Sequence, residues 1–165
     1  MLVERHEAAV HRLARRFVGA QESEDVSQDA FLRAFHRLRG FRGDAPFRSW
    51  LLRITRNAAL DHLARRSADP VDPGALEDAA TDRPREPAAR LETRERIERI
   101  ETKLRFLSED HRAVLVLRDI EGLSYREITD VTDWPLGSVK GRLHRARREF
   151  IALLRANTYD WELPS

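Results

Sequence analysis

The residues most able to do chemistry lie in a cationic run near the C-terminal end of the sequence. Residues 136–155 carry six basic side chains and a single acidic one, Glu149. Arg and Lys donate hydrogen bonds to phosphates and to the major-groove edge of guanine, so this composition suits nucleic acid recognition. On a helical wheel the apolar side chains share one face, and the opposite face presents Ser138, Lys140, Gly141, His144, Arg145 and Arg148.

The apolar face of that helix is predicted to comprise Leu136, Val139, Leu143, Ala146 and Phe150. Arg142 and Arg147 flank this stripe and could reach phosphates. A lone basic helix is more often a solvated surface, so its neighbours decide the interpretation. Upstream, Ser124-Tyr-Arg-Glu127 predicts a capping box, and Asp133-Trp-Pro135 predicts a break. Two helices joined by a tight turn form a helix-turn-helix, which favours duplex DNA in the major groove.

A second candidate site combines aromatic and cationic side chains between residues 41 and 57. A turn-rich connection, Phe41-Arg-Gly-Asp-Ala-Pro46, leads into a helix that carries Trp50, Arg53, Arg56 and Asn57. Aromatic rings stack on bases and Arg pairs with phosphates, so the combination suits single-stranded nucleic acid. The residues alone favour the plainer alternative, in which Phe41, Phe47 and Trp50 belong to the hydrophobic core.

Catalysis is not indicated. The six His show no close metal-ligand spacing, and neither a phosphate loop nor a nucleophile elbow is present. The absence of Cys excludes disulfides and thiolate metal sites and fits a reducing compartment. We therefore expect no catalytic residue, no metal and no cofactor, and the protein is predicted not to be an enzyme.

The elements that must position these residues are helices throughout. Apolar spacings of three and four recur, as in Val10, Leu13 and Phe17, and no stretch alternates as a strand does. Ser23 and Ser108 are predicted N-caps, and Gly122 is predicted to end a helix. The fold class predicted is all-α.

Composition divides the chain into two small domains, residues 1–66 and 93–155, joined by a linker over 67–92. Their net charges are +5 for 1–66, −4 for 67–92 and +1 for 93–165, which sum to the overall +2 of the 165 residues. The linker holds four of the seven prolines and almost no large apolar residue, so it is predicted to be flexible. Residues 156–165 form a tail without a recognisable pattern.

The composition also indicates the cellular compartment of the protein. No apolar stretch approaches the roughly 20 residues of a membrane span, and the first residues lack the apolar run of a signal peptide. We expect a cytoplasmic protein without membrane insertion.

Together the motifs resemble the extracytoplasmic-function class of bacterial sigma factors, the smallest members of the housekeeping sigma family. The resemblance is carried, in this order, by Glu24-Asp-Val-Ser-Gln-Asp-Ala-Phe-Leu-Arg-Ala-Phe35, Phe41-Arg-Gly-Asp44, Phe47-Arg-Ser-Trp-Leu-Leu-Arg-Ile54, Arg56-Asn-Ala-Ala-Leu-Asp61, Gly122-Leu-Ser-Tyr-Arg-Glu-Ile128 and Gly137-Ser-Val-Lys-Gly-Arg-Leu-His-Arg-Ala-Arg147. It implies two helical domains like sigma domains 2 and 4.

The resemblance implies a role for each segment. By position, Phe41, Arg42, Gly43, Asp44 and Ala45 match a loop that captures a flipped base of the −10 element, and Asn57 helps to line that pocket. Residues Lys140, Gly141, His144 and Arg145 match positions that read the −35 bases. The acidic linker matches a segment that threads near the polymerase active-site cleft and RNA exit path, where its charge could mimic RNA.

Partners follow from the same resemblance. The clamp helices of the largest subunit of core RNA polymerase are contacted, by position, through Asp25, Gln28, Asp29, Leu32 and Phe35. The polymerase flap, promoter DNA and an anti-sigma factor are the other partners implied. Gly141 replaces a common Ser, and Thr132-Asp-Trp134 replaces a more usual Leu-Gly-Ile, so the −35 preference stays open. The alternative function is a helix-turn-helix regulator that binds duplex DNA without polymerase.

Overall fold

The structure of the protein, a computed structural model, describes residues 2–68 and 88–156, which form helices joined by short turns and loops. No strand occurs in those ranges, which confirms the all-α prediction. Within these ranges seven α-helices follow one another, at Leu2–Val18 (α1), Ser23–Arg37 (α2), Phe47–Ala68 (α3), Ala88–Leu104 (α4), Glu109–Leu115 (α5), Tyr125–Thr132 (α6) and Leu136–Ala156 (α7). A 3₁₀ turn at Leu38–Gly40 follows α2, and a π-helical turn at Val116–Ile120 follows α5.

The first bundle forms because α1, α2 and α3 bury their apolar stripes against one another. Val10, Leu13 and Phe17 of α1 are at most 1% exposed, as the spacing of three and four predicts. The predicted cap Ser23 is wrong. Helix α2 begins at Ser23 itself, and the Ser23 hydroxyl donates to the carbonyl of Ala20 at 3.0 Å instead of accepting from the helix.

The predicted linker and tail lie largely outside the described residues, which omit 69–87 and 157–165. At both margins the helices run further than composition suggests. Helix α3 continues to Ala68, and α4 begins at Ala88 and so includes five residues assigned to the linker. Ala88-Ala-Arg-Leu-Glu92 consists of good helix formers, and their propensity extends the helix beyond its packed part.

The second bundle, α4 to α7, follows its capping signals closely. The Ser108 hydroxyl accepts from the amide of His111 at 3.3 Å, as expected of an N-cap. The capping box is complete, with Ser124 and Glu127 each accepting from the other's backbone amide. Gly122 adopts φ +71°, a left-handed conformation that glycine reaches without strain.

Replacing Ser124 by Ala should lower the free energy of unfolding by about 1 kcal/mol, because α6 loses the cap of its first turn. Urea denaturation followed by circular dichroism measures this change. Ser124→Asp keeps a capping oxygen and should retain most of the stability. Equal losses in the two variants would show that the hydroxyl has another role.

The two bundles also pack against each other, α3 on α6 and α1 on α5. Glu121, whose side chain is 1% exposed, accepts from Arg12 at 2.9 and 3.0 Å and from Arg48 at 3.1 Å. Glu101 of the second bundle accepts from Arg15 of the first at 2.9 Å. The domains predicted from composition therefore form a shared, charged interface.

Candidate nucleic-acid interface

The helix-turn-helix is made by α6, a tight turn and α7. Asp133 ends α6 at φ 61°, in the left-handed region that few residues other than Gly, Asn and Asp adopt readily. The amide of Trp134 donates to the Thr132 hydroxyl at 3.3 Å, and α7 starts directly after Pro135. The sequence Thr-Asp-Trp thus makes the turn despite lacking the glycine usual in the family pattern.

The two faces of α7 separate largely as the helical wheel predicts. Val139, Leu143 and Ala146 are buried, and Phe150 packs partly against the core. Leu136 is the exception, since it is 48% exposed at the first position of the helix, before the core of the bundle. On the opposite face Lys140, His144, Arg145 and Arg148 are exposed, whereas Ser138 and Gly141 are half-buried.

The two flanking arginines of α7 have partners within the protein. Arg147 donates to the Asp119 carboxylate at 2.9 and 2.5 Å, and this bond raises its pKa. Arg142 bonds to the Ser138 hydroxyl at 2.5 Å and lies 3.7 Å from Asp110. Both guanidinium groups must exchange these partners before they can reach phosphates.

Substitution of Gly141 tests whether DNA bases lie close to the backbone of α7 at this position. The nearest atoms to a Cβ added there belong to the Arg145 guanidinium, at 3.5 Å, an ordinary contact with the far end of a flexible side chain. Gly141→Ala should therefore stabilise the chain by about 0.5–1 kcal/mol through helix propensity. If the −35 bases approach this backbone, the same variant should bind duplex DNA more weakly, by fluorescence anisotropy.

The control is Gly137→Ala, at a position with nothing within 4 Å of the added Cβ. It should leave duplex affinity unchanged. Unchanged affinity in Gly141→Ala as well would contradict close approach at that residue.

In the first bundle, the aromatic side chains of the 41–57 segment form one cluster. The ring centroids of Phe41 and Trp50 lie 5.1 Å apart, and Phe47 lies 5.6 Å from Phe41 and 5.5 Å from Trp50. All three are half-buried, so they brace the loop and also present part of their surface. Arg42, Gly43 and Asp44 are exposed at its tip, and Ala45 is half-buried.

The polar residues of α3 are distributed along its surface. Asn57 is half-buried and Arg53 is exposed, where it pairs with Asp133 of the second bundle. Arg56 lies 3.8 Å from Asp110 and stacks on Trp134, 5.2 Å from the ring centroid. Arg53 and Arg56, which are both expected to contact single-stranded DNA, therefore pair with side chains of the second bundle in this structure.

Helix α2 exposes most of the surface that the resemblance assigns to polymerase. Asp25 and Gln28 are exposed, as are two large apolar side chains, Leu32 at 60% and Phe35 at 75%. Asp29 is half-buried and pairs with Arg33 at 2.8 Å. Exposed apolar residues of this size, grouped on one helix, are typical of a protein interface.

Composition and motif reasoning missed three buried charged residues, Arg112, Glu101 and Glu121. Arg112 donates to four backbone carbonyls, including that of Phe17 in the other bundle at 2.9 Å. A sequence signal exists for two of them, because Arg112 and Glu101 each fall at helical spacing on an apolar stripe. Their partners could not be read from the sequence, since they lie on distant segments.

Residues 2–68 and 88–156 contain neither a candidate metal site nor a candidate membrane span. Within them, no cluster of three or more potential ligands could hold a metal ion. None of the helices in the same ranges has the length and apolarity required to cross a bilayer.

A helix-turn-helix whose second helix exposes cations belongs to the DNA-binding class of proteins. Comparison with known families narrows the class: Sigma-70 region 2 matches residues 2–68, and Sigma-70, region 4 matches residues 97–150. The RNA polymerase sigma-H factor of Pseudomonas aeruginosa is 38% identical over 156 residues, covering 89% of this chain and 81% of the relative. The ECF RNA polymerase sigma-E factor of Escherichia coli K12 is 34% identical over 160 residues, with the same coverage. The chain belongs to the extracytoplasmic-function class of RNA polymerase sigma factors.

Solved structures agree in fold. CnrH in complex with the cytosolic domain of CnrY matches with a TM-score of 0.71 and 35% identity, over 95% of this chain and 87% of that one. The sigma factor RpoE of Bartonella quintana, in complex with the anti-sigma factor NepR, also matches at 0.71. It is 20% identical and covers 94% of this chain and 95% of that one, so it supports the fold alone.

Proposed function

We propose that this sigma factor directs core RNA polymerase to promoters by reading duplex DNA at −35 with α7 and the single-stranded −10 element with α3 and its preceding loop. The observation that carries the proposal is the exposed cationic face of α7. Lys140, His144, Arg145 and Arg148 stay open to solvent while the opposite face packs into the core. A major groove accepts one helix in this orientation, with cations toward base edges and phosphates.

The −10 part of the proposal rests on the loop before α3. Its tip is exposed, Gly43 adopts φ +77°, and Phe41 is braced by Phe47 and Trp50. A preformed loop of this kind can receive an extruded base without being ordered at that moment. Extrusion costs a few kcal/mol, so a ready pocket makes strand opening depend on sequence.

The proposal also includes protein partners for this chain. We infer that α2 binds the clamp helices, that the C-terminal domain binds the flap, and that an anti-sigma protein restrains the chain. CnrH, 35% identical, is seen with CnrY, which supports the last inference. The chain would act by binding, without catalysis, in the cytoplasm where the polymerase works.

Transcription from duplex promoter fragments with core polymerase, with and without this chain, tests the function. We expect initiation only when both are present, on fragments that the chain enriches from genomic DNA. Initiation no better than with core alone would contradict the proposal. Tight duplex binding without initiation would instead favour a regulator that acts apart from polymerase.

Phe35→Ala should weaken binding to core polymerase by about tenfold, because Phe35 is 75% exposed and a large aromatic ring at the centre of an interface can be one of the few residues whose truncation costs more than about 1 kcal/mol. Titration of labelled chain with core polymerase measures the affinity. The matched control is Phe106→Ala, which removes a 71% exposed ring in the turn after α4. Equal losses in both variants would count against α2 as the docking surface.

A further inference from the structure

The aromatic cluster beside the loop before α3 has a fourth ring, which comes from a different helix. The imidazole of His6, in α1, packs on Phe47 with 5.6 Å between the ring centroids and 42° between the ring planes. Phe47 in turn contacts Phe41 and Trp50. We propose that His6 is a further contact to the single-stranded −10 element, where it takes up a proton and pairs with a phosphate of the bound strand. The inference rests on the proposed function, which assigns that strand to this loop.

The ring nitrogens of His6 are available to a ligand. Neither has a hydrogen-bond partner among the described residues, and neither is one of the fully buried side-chain atoms that lack a partner. The residue is half-buried, so its ring rests on Phe47 while its nitrogens remain accessible. An apolar side chain would brace Phe47 equally well. Accessible nitrogens at the edge of an aromatic cluster therefore indicate a polar role in addition to packing.

The charges around His6 differ from those around other histidines of the described chain. Three of those histidines lie beside a glutamate, with nitrogen-to-oxygen distances of 2.7 Å for His62 and Glu22, 2.6 Å for His111 and Glu149, and 3.8 Å for His11 and Glu7. His6 instead lies near two cations, Arg5 of α1 and Arg48 of α3. Cations at one end of an aromatic cluster attract the phosphates of a strand whose bases stack on the rings.

Other charged groups face this site from the elements around it. Glu121 of the second bundle accepts from Arg48 at 3.1 Å and offsets part of its charge. The loop contributes Arg42 and Asp44, both exposed at its tip. The side chains one turn away from His6 on its own helix carry no charge: Leu2, Val3, Ala9 and Val10.

The direction of the pH dependence follows from these surroundings. Burial lowers the pKa of His6, and the charges of Arg48 and Arg5 lower it further, so the ring is neutral in the free chain near neutral pH. A phosphate beside the ring favours the protonated form and raises the pKa of His6 in the complex. Because the pKa is then higher in the complex than in the free chain, binding takes up a proton and tightens as the pH falls.

The test uses the holoenzyme of core polymerase and this chain. Its ligand is a fork fragment with a single-stranded −10 segment, made from a promoter that the chain enriches from genomic DNA. Fluorescence anisotropy measures the affinity at about pH 8 and about pH 6, a range that spans the ordinary titration of imidazole. His6→Phe keeps a ring against Phe47 but takes no proton, and His6→Ala removes the ring as well.

We expect the change from the higher to the lower pH to favour fork binding by about threefold more in the wild type than in His6→Phe. At the higher pH these two should bind alike, because both rings are neutral, and His6→Ala should bind more weakly because Phe47 loses its brace. The matched control is His11→Phe, which removes an imidazole from the same helix, where the ring lies 6.5 Å from Phe31. It should keep the wild-type pH dependence.

The same pH dependence in the wild type and in His6→Phe would overturn the role of His6 and leave the proposed function intact. If His6→Phe loses helical circular dichroism, His6→Gln, which is also neutral at both pH values, replaces it in this comparison. A wild-type holoenzyme that binds the fork no better than the corresponding full duplex, at either pH, would contradict the −10 part of the proposed function and the role of His6 with it.

Discussion

Arg145→Ala is expected to weaken binding to a −35 duplex by about 1–3 kcal/mol, or roughly fivefold to 150-fold. The side chain is exposed on the DNA face of α7, and its guanidinium folds over Gly141. It has no ion pair in the part of the chain that the structure describes. It can therefore move to a base edge without breaking an internal contact. Anisotropy with a labelled duplex, compared across salt concentrations, measures the loss.

Arg155→Ala provides the matched control for this prediction. Arg155 is an exposed arginine in the last turn of the same helix, about 15 Å along the helix axis from Arg145, so the variant removes the same charge beyond the residues assigned to the groove. It should weaken binding only slightly. If the two variants lose the same affinity, α7 attracts DNA through its net charge and Arg145 reads no base.

Arg112→Met is expected to lower the free energy of unfolding by about 3–5 kcal/mol. Its guanidinium donates to the carbonyls of Leu104, Arg105, Leu107 and Phe17, at distances from 2.9 to 3.2 Å. Three of these oxygens belong to the last residue of α4 and to the turn after it, where the helix supplies no further i→i−4 amides. Methionine fills similar volume but removes the guanidinium donor from all four carbonyls, and only that of Leu104 keeps another recorded donor, the amide of Leu107 at 3.2 Å.

The same residue also stacks on Phe17, with the guanidinium carbon 5.8 Å from the ring centroid. Burial lowers the pKa of Arg112 and Glu109 partly offsets this. Arg112→Lys should not restore stability, because an ammonium group cannot reach four divergent acceptors. Urea unfolding measures both variants, with Arg155→Ala as a surface control. A loss below 1 kcal/mol for Arg112→Met would mean that water replaces the guanidinium.

The predicted helix caps and helix ends are mostly correct where the conformation depends on a few adjacent residues. The Ser108 cap, the box of Ser124 and Glu127, and the left-handed Gly122 all depend on neighbours within four residues. The prediction of Ser23 as an N-cap was wrong for an equally local reason, because its hydroxyl donates to the nearby carbonyl of Ala20. The prediction that Leu136 is buried was wrong, because periodicity assigns a residue to a face of the helix but does not show where along the helix the core begins.

The sequence predicted which side chains of the candidate site lie on an exposed face, but it did not predict which residues they contact. Spacing on α7 placed Lys140, His144 and Arg145 on the exposed face, since a 3.6-residue period fixes which side chains share a side. The state of Arg53 and Arg56 could not be predicted. Their partners are 80 and 54 residues away in sequence, and no local rule brings Asp133 or Asp110 to α3.

The sequence by itself determined that this protein is all-α, that its two ends carry separate candidate DNA surfaces, and that it resembles the sigma factors to which it belongs. These properties follow from periodicity, capping and motif order, which act over short stretches of chain. Only the tertiary structure decided how the cations are used. The packing of α3 on α6 buries Glu121 and places Trp134 between Arg56 and Arg142, because charges buried at an interface need partners from whichever segment faces them.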